Sequence, residues 1–474
     1  MLKGITVFTG KIKPVIFMFF LCIVYWVYLI FNTEMPVVFD SLDYEALGKM
    51  IANEGWVQYF KTGPNREPLY PFLISISVRL AAIFKAGSYQ PILKMIQISF
   101  LFVTQILLLT ILRRLKVRET IILATVLYFG FSPSLLNASL SLFSEIASFP
   151  FALCLILSLN FAWKAAQGRG YAKVISAAIL TALFFLAASF GKAIFIYVFY
   201  SIIFVFILRF LYSIKDRDYA IAKKTIVFTI TAFVLFQLTL VSYKLMNKKY
   251  NGYYEFTSRS YELLFGNSSK RVKPETLSKI LPHLAIIPGQ GFCQKFFSQE
   301  DCWYADFQKV DAIRGVELAV PLAGVDPFEA PKRTLSLALE KVFSNPGQYI
   351  LFTFLENFKM PFWESTQIGF VTYPSWLDKI YKKAIFKDLL RLIVSTLTII
   401  SFFHLFFYLA RNLGRLFNPS ERDEVLSCKF FIFFIILAFT ALYSLFSIIT
   451  RYALPIASLY LITIAIFIER RLSK

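Results

Sequence analysis

The residues of this chain able to do chemistry are few, and they stand at the ends of apolar runs. A polar link near the N-terminus reads Val37-Val38-Phe39-Asp40-Ser41-Leu42-Asp43-Tyr44-Glu45-Ala46-Leu47-Gly48-Lys49. At helical spacing Asp40, Asp43, Tyr44 and Leu47 share a face, so two carboxylates and a phenol meet at one surface. A carboxylate there can take the proton of an attacking hydroxyl or ligate a metal. The purely structural reading is an acidic first turn with Asp40 as the helix N-cap. A second acid, Glu145, closes the link Asn137-Ala138-Ser139-Leu140-Ser141-Leu142-Phe143-Ser144-Glu145, which is otherwise uncharged. A lone ionisable group at the head of an apolar helix is costly unless hydrated or paired, which makes it a functional candidate. Its structural alternative is complementarity to the helix dipole, with Ser141 or Ser144 capping.

Cations complete the set. Lys192 is the one charge between Lys173 and Arg209; it either meets a phosphate at the membrane boundary or snorkels to headgroups. Arg451-Tyr452-Ala453-Leu454-Pro455 places an Arg and an aromatic in a turn, with a Pro able to unwind the following helix. In Arg66-Glu67-Pro68-Leu69-Tyr70-Pro71 the prolines set a turn into an apolar helix, and Arg66 is within the reach of a phosphate on the same surface. The two histidines, His283 and His404, make no triad: His404 reads as a packed imidazole among Phe residues, His283 as part of a polar stretch. Glycine-rich phosphate loops and nucleotide fingerprints are absent, which disfavours a nucleotide-driven pump.

The elements that carry these residues belong in lipid. Of 474 residues 57% are hydrophobic, 18% aromatic and 17% charged, with a mean hydropathy of +0.63. Soluble domains hold roughly 45–50% apolar and about 25% charged residues, so fully soluble and single-anchor architectures are excluded. Spans of about 20 residues are predicted at Pro14–Phe31, Ile92–Leu112, Thr120–Leu136, Ile146–Trp163, Val174–Phe190, Ala193–Leu211, Thr225–Leu245, Leu389–Leu409, Phe430–Ile449 and Tyr452–Ile468. The first follows a basic stretch but lacks a following small-residue cleavage site, and it reads as an uncleaved helix. Short runs at Leu69–Phe84, with Arg79 inside, and at Tyr349–Trp363 read as juxtamembrane or re-entrant helices at the outer face.

The net charge of +21 is concentrated in links: Arg113 to Arg118, Lys164 to Lys173, Arg209 to Lys224, Arg411 to Lys429, and Arg470 with Arg471. This is the positive-inside pattern, answered by an anionic inner leaflet, and membrane lipids rather than nucleic acid are the expected partners. Alternation then puts Asp40, Arg66, Glu145, Lys192 and Arg451 together on the outer side. The expected organisation is an N-terminal membrane module over 1–245 with outer loops 32–91 and 137–145, an extracytoplasmic insert with a juxtamembrane helix over 246–388, and C-terminal spans over 389–474. Cys293 and Cys302, nine apart in that insert, are positioned for a disulfide in an oxidising compartment.

In order and kind these segments resemble the GT-C superfamily of membrane glycosyltransferases, which use polyprenyl-phosphate sugars and include protein O-mannosyltransferases and lipid A aminoarabinose transferases. Asp40-Ser41-x-x-Tyr44-x-x-Leu47-Gly48-Lys49 looks like the family's first-loop acidic motif, and Arg66-Glu67-Pro68-Leu69-Tyr70-Pro71 like its R-x-P-L-Y-P segment. Ser132-Pro133 with Ser144-Glu145 resembles the second-loop acid, and Asn345-Pro346-Gly347-x-Tyr349 and Arg451-Tyr452-x-x-Pro455 resemble later signatures. Where many members carry Arg-Pro after the fifth or sixth span, this chain has Gly191-Lys192.

The resemblance implies an all-α polytopic fold of GT-C type, with about ten spans, juxtamembrane helices and an α-rich insert, in a cell membrane such as the bacterial inner membrane. It implies a donor polyprenyl-phosphate sugar and a lipid, glycan or protein acceptor, with Asp40 and Glu145 as catalytic acids. Asp43, Tyr44, Arg66, Lys192, Arg451 and Tyr452 would bind substrate, and a divalent metal, if used, would sit on Asp40 and Glu145. Two other readings compete: a ligase or polymerase using diphosphate-linked saccharides through Arg259 and His283, and a transporter, which would place charge near the midplane of its spans.

Overall fold

The computed structural model describes residues 2–168, 170–257, 260–364, 370–417, 423–446 and 448–473. Among the described residues the chain is helical throughout, with no strand and one isolated bridge, Glu34 to Thr372. In lipid a backbone must satisfy its own polar groups, and the helix does so within one segment. Among the described residues nine helices are long and apolar enough to cross: Lys13–Asn32, Gln90–Arg114, Ser144–Gln167, Ala172–Gly191, Ile194–Lys215, Tyr219–Asn251, Ile385–Arg411, Glu424–Phe446 and Thr450–Leu472. The protein is therefore a polytopic membrane protein.

The expected span Thr120–Leu136 is corrected. Helix Glu119–Phe131 ends at Ser132, and Pro133–Leu140 starts a second helix bent by 43° from the first. Pro133 disfavours the helical conformation in the residue before it, and Ser132 is extended, with φ −56° and ψ 122°. The first backbone donors of the second helix, which have no partner within it, find two acceptors: Ser132 Oγ takes the Leu135 N–H at 3.3 Å, and the fully buried Glu364 takes the Ser134 N–H at 3.1 Å. Counted as one broken span, the pair gives ten crossings and returns every basic link to the same end of the bundle.

Around the polar end, the link 137–145 is no solvated loop, because helix Pro133–Leu140 and the short 3-10 segment Ser144–Ser148 are buried throughout. Helix Leu69–Ile83 packs along Asp40–Asn53, with Arg79 donating to the carbonyls of Ile51 and Ala52 at that helix's C-terminus. Gly48 is the contact point: a Cβ there would overlap the Ile74 side chain, so glycine lets the two helices meet closely.

The insert also differs in detail from expectation. Helix Tyr219–Asn251 runs six residues past the expected boundary at 245 and stops where Gly252 turns left-handed at φ 86°. Beyond it the insert is α-rich, as expected, and Cys293 and Cys302 form a disulfide. It is fastened to helix Pro346–Asn357 by a buried charge cluster, in which Arg271 reaches Glu356 at 2.6 Å while Lys270 and Lys359 approach the other carboxylate oxygen at 3.7 and 3.6 Å. Asn345 ends helix Ala330–Ser344 and is also the N-cap of the next helix, accepting the Gln348 N–H.

Candidate functional site

Residues from five distant segments converge where the Asp40–Asn53 helix begins. Asp40 is its first helical residue, not its cap; the cap position is Phe39, which makes no side-chain capping bond. Phe39 is held at φ 51°, a left-handed conformation uncommon for a non-glycine residue. Ser41 fixes this turn by bonding both the N–H and the carbonyl of Val38. The Asp40 carboxylate is directed to two guanidinium groups: Oδ1 lies 2.8 Å from Arg66 Nη2, and Oδ2 lies 2.7 Å from Arg451 Nη2.

Each cation is itself positioned. Arg66 also pairs with Asp43 at 2.9 Å and covers the ring of Tyr44 at 4.6 Å. Tyr44 is buried and its hydroxyl lies 3.0 Å from Ser144 Oγ, which ties the acidic helix to the segment bearing Glu145. Arg451 sits over Phe143 at 4.9 Å and has its Nε 3.8 Å from Glu145 Oε1. The same carboxylate oxygen takes a 3.1 Å contact from Lys192 Nζ. Tyr452 stacks on Tyr443 with centroids 4.9 Å apart.

Lys192 therefore neither snorkels nor stands alone; it is buried, and its partner comes from 47 residues away in sequence. Glu145 is 2% exposed, and neither Ser141 nor Ser144 caps it. Its Oε2 has no hydrogen-bond partner among the described residues, an expensive state for a buried carboxylate oxygen. Burial works to raise the Asp40 carboxyl, but Arg66 and Arg451 outweigh it and hold the group well below the usual carboxylate range. Asp40 is thus an anion held between two guanidinium groups.

The cluster lines a cavity of about 660 Å³ whose walls include Asp40, Arg66, Glu145, Lys192, Arg451 and Tyr452. Tyr44 lines it as well, whereas Asp43, which pairs with Arg66, does not. Such a volume is in the range of small-molecule sites. Sequence reasoning missed several members. Glu67 lines the cavity and accepts the Ala193 N–H at 3.1 Å, linking the Arg66 segment to the Lys192 corner. Its position beside Arg66 was the available signal. Phe143, Tyr443 and, from the insert, Asp311 and Arg314 also line it, and nothing in their local sequence distinguishes them from structural residues.

The histidines lie elsewhere. His283 is buried in the insert, where Nδ1 lies 2.9 Å from the Lys279 carbonyl, and it does not line the cavity; Arg259 lies outside the described residues. His404 is not packed in a core as expected: it is half-buried at the opposite end of the bundle, with Nε2 3.0 Å from Arg470 Nη1.

A divalent metal does not fit the donor set. Both Asp40 oxygens face guanidinium groups, Glu145 Oε1 faces Lys192 and Arg451, and three cations would repel a fourth. Among the described residues no three His, Cys, Asp or Glu side chains cluster in a way that could hold a metal ion. No protein-family model, curated protein or solved structure matches the chain.

Proposed function

We propose that this membrane protein is a glycosyltransferase of GT-C type, moving a sugar from a polyprenyl-phosphate donor to a hydroxyl or similar acceptor at the outer face of a cell membrane, such as the bacterial inner membrane. The observation that carries the proposal is the ionised Asp40 carboxylate between Arg66 and Arg451 in the wall of a 660 Å³ cavity. An acid and several cations in one concave site match what the reaction needs: a base for the acceptor proton and positive charge for the leaving phosphate.

In this reading the donor phosphate competes for Arg66 and Arg451 and frees Asp40 as it binds. Asp40 takes the acceptor hydroxyl proton while the acceptor oxygen forms its bond to the anomeric carbon. The bond from that carbon to the phosphate oxygen breaks, and the electron pair leaves on the phosphate, where the guanidinium groups and Lys192 offset its charge. No metal step is needed, and no nucleotide is consumed. Glu145 acts through the cations: one oxygen holds Lys192 and Arg451 in the cavity wall, which makes it a positioning residue. Tyr44 and Asp43 orient Arg66, and Tyr452 offers an aromatic wall to the sugar. Asp311 and Arg314 bring the insert to the same cavity, where an acceptor lipid, glycan or protein would enter.

The test is transfer of labelled sugar from a panel of polyprenyl-phosphate sugars in membranes holding the full chain or Asp40→Asn at equal abundance. Transfer by the parent that falls at least about 100-fold in the variant, the range general-base catalysis supplies, is the expected result. Full activity in Asp40→Asn, or transfer from diphosphate-linked saccharides alone, overturns the proposal.

A further inference from the structure

At the opposite end of the bundle, helices Ile385–Arg411 and Ala457–Leu472 form a second built feature. The latter helix has 16 residues, about 24 Å of rise, so its Arg470 and Arg471 are remote from Arg451 and the cavity above. A notch of about 240 Å³ lies between the helix ends, walled by His404, Phe407, Tyr408, Arg411, Arg470 and Arg471. Tyr408 forms an aromatic floor that draws two cations: the Arg470 guanidinium is 5.6 Å from its ring centroid, and Lys429 Nζ is 4.6 Å away.

The nearby acids are engaged elsewhere. Glu469 pairs with Arg118 at 3.1 Å and accepts its backbone N–H, while Asp423 accepts the Val425 and Leu426 N–H groups at the start of the next helix. Among the described residues, no carboxylate forms an ion pair with Arg411, Lys429, Arg470 or Arg471. Among the described residues Asp423 acts on Lys429 only from beyond ion-pair distance, so Arg411, Arg470 and Arg471 repel one another, and the concavity they line suits an anion with several acceptor oxygens.

Apolar surface continues from the notch. Phe403, Phe407 and Arg411 follow at four-residue spacing on one helix and so lie on one face, and Phe403 and Phe407 are 44% and 57% exposed. A ligand bound here would therefore present its anionic group to the arginines and its hydrocarbon to the phenylalanines. Basic pockets between transmembrane helices recognise lipid headgroups in this manner.

We propose that this notch binds the phosphodiester headgroup of an anionic membrane phospholipid, with an acyl chain lying along Phe407 and Phe403. The test is native mass spectrometry of the purified full-length protein titrated with phosphatidylglycerol or phosphatidylcholine. It compares R411Q/R470Q/R471Q with the parent and with a control losing three charges from another basic link, K215Q/R217Q/K223Q. At about 5-fold per charge, the triple notch variant should bind phosphatidylglycerol on the order of 100-fold more weakly, the control should match the parent, and phosphatidylcholine should bind poorly throughout. R471Q alone, at an exposed helix end, should show about a 5-fold loss and covers the case in which the triple variant misfolds. Equal losses in the notch and control variants, equal binding of the two lipids, or displacement of phosphatidylglycerol by millimolar inorganic phosphate would overturn the proposal, the last by assigning the notch to free phosphate.

Discussion

Replacing Glu145 by Gln should destabilise the fold far more than an exposed carboxylate would, and the geometry sets the size. Glu145 and Lys192 have side chains only 2% and 9% exposed, with 3.1 Å between charged atoms. At an effective dielectric of about 20 their attraction is about 5 kcal/mol. Gln removes that attraction and also the cost of dehydrating Glu145, but it leaves Lys192 buried. Glu67, the nearest alternative named acid, already takes the Ala193 N–H. Removing one partner of a buried pair costs about 3–5 kcal/mol, and about 4 is the expected loss here. Lys192→Met should cost less, about 2 kcal/mol, because Arg451 Nε remains 3.8 Å from Glu145. The double variant E145Q/K192M leaves no unpaired charge and should be as stable as K192M. The coupling should then be about 4 kcal/mol, beyond the range usual for neighbouring residues. Equilibrium unfolding of purified variants in mixed detergent micelles measures all four corners of the cycle. Additivity within about 0.5 kcal/mol would refute the reasoning, since two buried charges in contact cannot act independently.

Four further outcomes are expected. Gly48→Val should force helix Asp40–Asn53 away from Leu69–Ile83, costing about 1–3 kcal/mol, and should lower sugar transfer more than donor binding, as read from kcat and KM separately. Burial of His283, with Lys270 beside it, pushes its pKa down to about 3 from 6.5. The unfolded chain then binds the proton first, so stability is full above about pH 6.5 and falls on acidification towards pH 3, with a slope up to about 1.4 kcal/mol per pH unit; His283→Gln should flatten that slope in pH-dependent unfolding. Because Asp40 is held below the usual carboxylate range, its ionised form should persist down to about pH 4, and a pH–rate profile should show no acid limb from it above that value. Cys293→Ser with Cys302→Ser releases a link between residues nine apart and should cost about 2.5 kcal/mol, read as faster proteolysis confined to the insert.

Much of the site was legible in the chain. Asp40, Arg66, Glu145, Lys192 and Arg451 attracted attention because each is a charge at the end of an apolar run, where solvation is costly and a purpose is required. The alternation of basic links along the chain assigns them to one end of the bundle. The membrane architecture followed from composition, since a chain this apolar must satisfy its backbone in lipid through helices. The same local reasoning failed where the answer was a partner far away. It offered Asp40 as a helix cap and Lys192 as a snorkelling cation, because their carboxylate and guanidinium partners lie in segments up to 411 residues distant.

The sequence by itself determined the spanning helices, their number among the described residues to within the broken pair at Ser132, and the end of the bundle at which the charged residues stand, because hydrophobic length and charge placement act locally along a chain. Tertiary structure alone decided the pairing: that Arg451 bridges Asp40 and Glu145, that Lys192 is neutralised from across the bundle, that Glu67 and the insert's Arg314 join the same cavity, and that Arg411, Arg470 and Arg471 at the far end form no ion pair with a carboxylate among the described residues. Pairing is a matter of distance in space, and the Coulomb energy that rewards it is blind to how much chain lies between the charges.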